Sequence, residues 1–469
     1  MKKLIAATMV SLPLLLVGCG SDDETNVPDI VERAQSDDRF DTLVSAVIQA
    51  QLVETLKGEG PYTVFAPTDE AFANFLNDNE LTAEQLLASE DLASILTYHV
   101  LAGEVVASQA LTVAGSGENT VETVNGAKVS LSLVGESLYV NGAKVVVTDV
   151  TAENGVIHAI DKVLLPPATA PTQDIVTIAS GDDRFDVLVA AVTEANLVTT
   201  LQGDGPFTVF APTDEAFAAY LNEAGLTQQE LLDSDALADI LTYHVLAGQL
   251  VADAAVATAQ TNENLLATVN GDNVALSLSG ETLNVNTSAV TSADVLATNG
   301  VIHVLDKVLL PPADSALSDE TKTIAQIVDS LATGEEGSEF NTLKAAVGAA
   351  DAAVSAALAD VNGTLTVFAP TDAAFAALLN ELEISAEDLL ASPDLTNILL
   401  QHVLGAEVDA LSAYAANGVD VDTLRADTAV TVAIDAGNLT IEGATVTEAN
   451  VKAANGVIHV IDQVIFNVE

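Results

Sequence analysis

The chain has 469 residues, with 14 Lys plus Arg against 68 Asp plus Glu and a formal net charge of −54; so acidic a sequence, with no basic cluster, cannot condense on phosphates, which excludes nucleic acid as a partner. Because 49% of the residues are hydrophobic and the mean hydropathy is +0.38, wholesale disorder is excluded in spite of the charge, and the length suits about three domains. One Cys, no Trp and 4% aromatic residues leave neither a disulfide framework nor a thiolate metal site, so the cores must be aliphatic.

At the start, Lys2 and Lys3 precede an apolar run from Leu4 to Val17, and small residues surround the cysteine, the three parts of an export signal. The run is short for a bilayer crossing, and polar Gly20-Ser21-Asp22-Asp23-Glu24 follows it. Leu16-Val17-Gly18-Cys19 resembles a bacterial lipobox. That implies a signal peptide over 1–18, lipidation of the Cys19 thiol and a tether over 19–26; the alternative is a cysteine that happens to end an ordinary cleaved signal. The expectation is an exported protein that meets the membrane through its lipid anchor only. Gly20 and Ser21 after Cys19 lack the aspartate that resembles an inner-membrane retention signal, so the expected address is the outer membrane, on its periplasmic face or at the cell surface.

Beyond the tether the sequence repeats itself. Thr63-Val64-Phe65-Ala66-Pro67-Thr68-Asp69-Glu70-Ala71-Phe72 recurs unchanged at Thr208 to Phe217 and with one substitution at Thr366 to Phe375. The histidines keep the same register: His99, His244 and His402 hold one position, His158, His303 and His459 another. A unit of about 140 residues has the size of an autonomous domain, not of a solenoid repeat. Three domains are expected over 27–166, 172–312 and 321–468. Pro166-Pro167-Ala168-Thr169-Ala170-Pro171 and Pro311-Pro312-Ala313-Asp314-Ser315 read as short, stiff joints between them.

Within the first unit, Ile30, Val31, Leu43, Val44, Val47, Ile48 and Leu52 fall at helical spacing with a break near Ser36-Asp37-Asp38, which predicts two helices. Tyr62 to Ala66 predicts a strand ended by Pro67. Thr68 is placed to cap the next helix, with Asp69 and Glu70 in its first turn, as are Thr213-Asp214 and Thr371-Asp372 in the other units. Thr82-Ala83-Glu84-Gln85 and Thr227-Gln228-Gln229-Glu230 read as capping boxes. After His99 the period changes to two: Val129, Leu131 and Leu133 alternate with serines and lead through Gly135-Glu136 into Leu138-Tyr139-Val140, a hairpin. Asn154 to Leu165 is nearly continuously apolar, as a strand buried on both faces would be. Helices followed by strands predict an α+β fold.

Three features together carry a family resemblance: Thr-Val-Phe-Ala-Pro-Thr-Asp-x-Ala-Phe, the Tyr98-His99 and Tyr243-His244 pairs, and Asn-Gly-Val-Ile-His with an Asp three residues on, at Asp161, Asp306 and Asp462. Each unit resembles a fasciclin-like (FAS1 or βig-h3) domain. The resemblance implies a β-sandwich or wedge with packed helices, found in surface proteins that mediate adhesion or matrix contact without enzymatic activity. In animal members the Tyr-His region is linked to integrin binding, which makes Tyr98, His99, Tyr243 and His244 a candidate binding surface, here for some other ligand. The third unit departs, with Gln401-His402, no Pro-Pro ending and a longer stretch from Asp420 to Asp427.

The remaining residues favour architecture. His99 and His158, like their repeats, sit among apolar neighbours where a neutral ring bonded to backbone fits better than a metal ligand or a general base. No catalytic residue, cofactor or metal site is expected: there is no nucleophile elbow, no phosphate-cradling loop and no calcium loop beyond the fragment Asp420-Val421-Asp422. The first reading is a lipid-anchored adhesion protein whose partner is a cell-surface or matrix protein or polysaccharide. The rival is a periplasmic small-molecule or cation binding protein with a pocket near the paired histidines. The acidic surface further predicts units that repel one another when salt is withdrawn.

Overall fold

Asp29 accepts the Glu32 N–H at 2.8 Å while the Glu32 carboxylate reaches back to the Asp29 N–H, so a capping box starts helix α1 (Ile30–Gln35). The computed structural model describes residues 27–168, 170–332 and 339–466. The signal segment 1–18, Cys19 and the tether 19–26 lie outside the described residues, as do 467 and 468 of the third unit. After α1 come α2 (Asp41–Gln49) and α3 (Val53–Leu56), three helices where the apolar spacing predicts two. The second break falls at Gln51, whose φ of +58° no helix can carry through.

Strand β1 (Tyr62–Pro67) leads into α4 (Asp69–Asp78), then α5 (Ala83–Leu87), α6 (Leu92–Tyr98), β2 (Val100–Ala102) and α7 (Ala107–Ala114). The domain closes with β3 (Thr120–Glu122), β4 (Lys128–Val134), β5 (Ser137–Val140), β6 (Ala143–Ala152) and β7 (Gly155–Ile160). These strands form one seven-stranded sheet in the order β2-β1-β7-β6-β5-β4-β3, and the other two domains build the same order. Only the β1–β7 pair is parallel; the rest of the ladder is antiparallel. The chain's last strand therefore lies inside the sheet, and every residue of β7 is buried. Two register shifts in β6, at Val145/Val147 and Val147/Val150, bend the ladder, and the same shifts recur in the other domains.

Alternation along β1 divides the interior. Val64 and Ala66 join α1, α2, α4 and α6 in one cluster with Phe40, Phe72 and Ile157. Phe65 points the other way, into a second cluster with Tyr98, Leu131, Val140 and Ile160 that α7 covers through Ala110. Helices segregated largely to one side of a mainly antiparallel sheet make each domain α+β. The period-two reading of β4 fails at its end: Leu133 is exposed and Val134 buried, while Ser130 is buried because its N–H and hydroxyl both bond Asn141 Oδ1.

The joint after the second domain is more than a spacer. Ser315 N–H donates to Asn450 O at 3.0 Å, Asp319 N–H to Lys452 O at 2.9 Å, and Asp319 bridges Ala453 in parallel, so the segment runs along the third domain's counterpart of β6, Ala444–Ala453.

Candidate functional site

The paired aromatic and imidazole rings are the first place to look for chemistry. His99 ends α6 and is wholly enclosed; its Nδ1 lies 2.7 Å from Ile95 O, and its Nε2 accepts the Leu164 N–H at 2.9 Å. A ring nitrogen that accepts an amide proton carries none itself, so the proton sits on Nδ1 and donates to Ile95 O. Burial holds the imidazole's pKa down at about 4. His244 repeats this with Ile240 O and Leu309 N–H, and His402 with Ile398 O and Ile465 N–H, both also held at about 4 by burial. Each ring ties the end of α6 or its repeat to the segment that follows the last strand.

The second imidazole of each domain lies in β7. His158 Nε2 donates to Val105 O at 2.8 Å, Nδ1 faces the Asp149 N–H at 3.3 Å, and the ring stacks on Phe65 with centroids 5.8 Å apart. His303 does the same with Leu250 O and Phe210, and His459 with Val408 O and Phe368. Burial lowers the pKa of all three. With both nitrogens occupied, no ring has a lone pair free for a cation or a substrate proton. Among the described residues no group of three or more His, Cys, Asp or Glu is placed to hold a metal ion.

The Tyr-His pairs do not form a surface. Tyr98 is 2% exposed, and its hydroxyl donates to Lys128 O at 2.9 Å and accepts from Asn141 Nδ2 at 2.7 Å. Tyr243 bonds Asn273 O and Asn286 in the same way, and burial pushes both phenols up to about 12. Tyr98, His99, Tyr243 and His244 thus fill the interior: a phenol at the end of α6 reaches across the second cluster to the β4–β5 hairpin. In the third domain Gln401 stands in the tyrosine's place, and its Oε1 accepts from Arg425 at 3.1 Å.

The motif carboxylates are likewise engaged. Thr68, Thr213 and Thr371 cap their helices through Ala71, Ala216 and Ala374 N–H. Asp69, Asp214 and Asp372 accept the Thr42, Val187 and Thr342 N–H, which fastens the start of α2 or its repeat to α4 or its repeat. Asp161, Asp306 and Asp462 accept the Lys144, Ala289 and Thr445 N–H and pin the start of β6 or its repeat beside the turn after β7.

Sequence reasoning missed two sets of residues. Asn154 accepts the Ile30 N–H at 2.9 Å and donates to Leu56 O and Gly58 O at 2.8 Å, and Asn299 and Asn455 repeat this node. Asn119, Asn264, Lys162 and Lys307 reach across domain boundaries. The signal for both was their recurrence at the histidine spacing.

A family model described as Fasciclin domain matches residues 38–166, 183–311 and 338–467. The chain is 30% identical over 378 residues to transforming growth factor-beta-induced protein ig-h3 of Sus scrofa, covering 79% of this chain and 48% of that protein. It is 45% identical over 147 residues to protein sll1483 of Synechocystis sp., covering 31% of this chain and 77% of that one. Among solved structures, the FAS1 domain pair of the insect cell adhesion molecule Fasciclin I aligns with 59% of this chain and 98% of its own, at 18% identity and a TM-score of 0.28. The chain spans about half the length of ig-h3.

Proposed function

We propose, from the premise that this chain belongs to the Fasciclin domain family, that it is a non-enzymatic adhesion protein which holds a cell-surface or matrix protein or polysaccharide through the outer faces of its domains. One observation carries the reading: the imidazoles, phenols and motif carboxylates, the groups that catalysis or metal binding would need, are satisfied inside the fold. What remains for recognition is surface, repeated three times. Weak contacts repeated on one chain raise avidity without new chemistry, provided the domains can engage together. Less supports the rival binding-protein reading, since the paired rings on which it relies have both nitrogens engaged within the fold.

The membrane attachment belongs to the same proposal. Acylated Cys19 anchors the chain to the outer membrane, and the tether 19–26 sets the first domain clear of the headgroups. The test is retention of the purified full chain on intact cells and on their isolated extracellular polysaccharide, read against an equally acidic globular control. Saturable binding competed by unlabelled chain is the expected result; binding no better than the control overturns the reading.

A further inference from the structure

The two junctions inside the chain are built from the same two positions of the preceding domain. At the first, Asn119, just before β3, donates from Nδ2 to Gln249 O at 2.9 Å and accepts the Gln249 N–H at Oδ1 at 2.7 Å. Lys162, just after β7, pairs with Asp253 of the second domain at 3.2 Å. At the second junction Asn264 Nδ2 donates to Ala415 O at 2.8 Å, and Lys307 Nζ donates to Gly437 O. Both asparagines are buried, and each also bonds its own hairpin, at Leu131 O and Leu276 O.

The third domain shows what these residues are for. Thr268 and Thr423 occupy one position, each bonding across the turn that follows β3 or its repeat, at Asp272 O and Thr428 O. Counting back from them places Val419 where Asn264 stands, and Asp462 places Gln463 where Lys162 and Lys307 stand. The third domain builds the same seven-stranded sheet with Val419 and Gln463. The fold therefore requires neither the asparagine nor the lysine, and both domains that carry them direct them at the domain that follows.

Close approach at the boundaries points the same way. A Cβ on Gly142, between β5 and β6, would fall 2.0 Å from Asp253 Cβ, so the bare backbone is what admits the second domain. Asn417 of the third domain donates to Leu278 O at 3.0 Å, and Ser279 Oγ to Ile434 O at 3.2 Å. The acceptors differ between junctions: Gln249 precedes the second domain's counterpart of α7 (Ala252–Ala259), whereas Ala415 ends the third domain's (Ala410–Ala415). The same two positions thus meet different acceptors at the two junctions.

We propose that Asn119 with Lys162, and Asn264 with Lys307, are docking residues that lock each domain to its successor, making the three domains one array of fixed geometry. The inference stands apart from the adhesive reading and holds whatever the ligand is. It is tested on the full chain by electron–electron distance measurements between spin labels on domains 1 and 2, with a second label pair across domains 2 and 3. Narrow distributions at both junctions are expected. Asn119→Ala with Lys162→Ala should widen the first distribution at least roughly twofold and leave the second narrow, since relative motion is the default for domains without a specific interface; Asn264→Ala with Lys307→Ala should do the reverse. Broad distributions in the parent chain, or no widening in a variant whose melting shows three folded domains, overturn the proposal. Because Asn119 also serves its own hairpin, a second variant avoids it: Lys162→Glu widens the first distribution at low salt, and adding Asp253→Lys restores it. A distribution that ignores the charge reversal overturns the lock as well.

Discussion

Acidification from pH 7 to pH 5 should cost each domain stability through its enclosed imidazole. In the folded chain His99, His244 and His402 are held at about 4, whereas in the unfolded chain they return to about 6.5. Between those values the unfolded state binds the proton and the folded state does not, so stability is present above the unfolded pKa and is lost as pH falls toward the folded one. For a shift of this size the loss from pH 7 to pH 5 is about 2 kcal/mol per ring, and unfolding at pH 5 takes up about 0.9 proton per ring. The chain's −54 net charge works the other way, because partial neutralisation relieves repulsion. Proton uptake, not the midpoint, is therefore the discriminating quantity. It is measured by calorimetric unfolding at pH 5 in buffers of different ionisation enthalpy, on the parent and on His99→Gln. The variant should take up about one proton fewer. Equal uptake by both chains would refute the enclosed, neutral ring and the tautomer deduced from its two bonds.

The other expectations are simpler. Phe65→Ala empties a fully enclosed position in the second cluster and should destabilise the first domain by about 3 to 5 kcal/mol in urea unfolding. Asn154→Ala leaves the Ile30 N–H and two carbonyls without partners and should cost about 3 kcal/mol, seen as early exchange of the α1 amides. The urea midpoint of the full chain should rise from low to high NaCl as salt screens the carboxylates; a midpoint that ignores salt would remove surface repulsion from the account. Cys19→Ser should release the protein from the membrane pellet into the soluble exported fraction, and retention would argue against the lipid anchor.

The parts of the fold that were legible in the sequence are those in which a local rule and the tertiary structure ask for the same residue. Thr68 and Thr82 read as caps because capping is a short-range affair, and both cap in the structure. The β7 segment read as a doubly buried strand because a strand with neighbours on both sides and helices or sheet on both faces has no polar side to show. Side-chain placement was less legible. The family resemblance made Tyr98 and His99 a candidate surface, although the apolar context of His99 already read as interior; their polar atoms meet Lys128 O, Asn141, Ile95 O and the Leu164 N–H, partners 30, 43, 4 and 65 residues away. The three-helix start was hidden by a single left-handed residue, Gln51, of a type that does not advertise a positive φ. Asn154, Lys162 and Lys307 escaped because asparagine before glycine, or lysine after aspartate, reads as ordinary turn sequence until its distant partners are seen, and Asn119 and Asn264 because a polar residue at the start of an edge strand reads as solvated.

The placement of β7 between β1 and β6 also fixes the order in which each domain can be completed. Its partner β1 lies about ninety residues upstream, and β6 pairs with it only once both are present. Until the final strand of a unit has been made, the central rung of its ladder is missing, and the helical cluster lacks Ile157 and Ala159 while its neighbour lacks Ile160. A nascent unit cut short before that strand cannot close, since distant pairing must come before the interior is sealed. A polypeptide that withholds its keystone to the end stays open for as long as it is being made, and each unit closes only once its last strand has emerged.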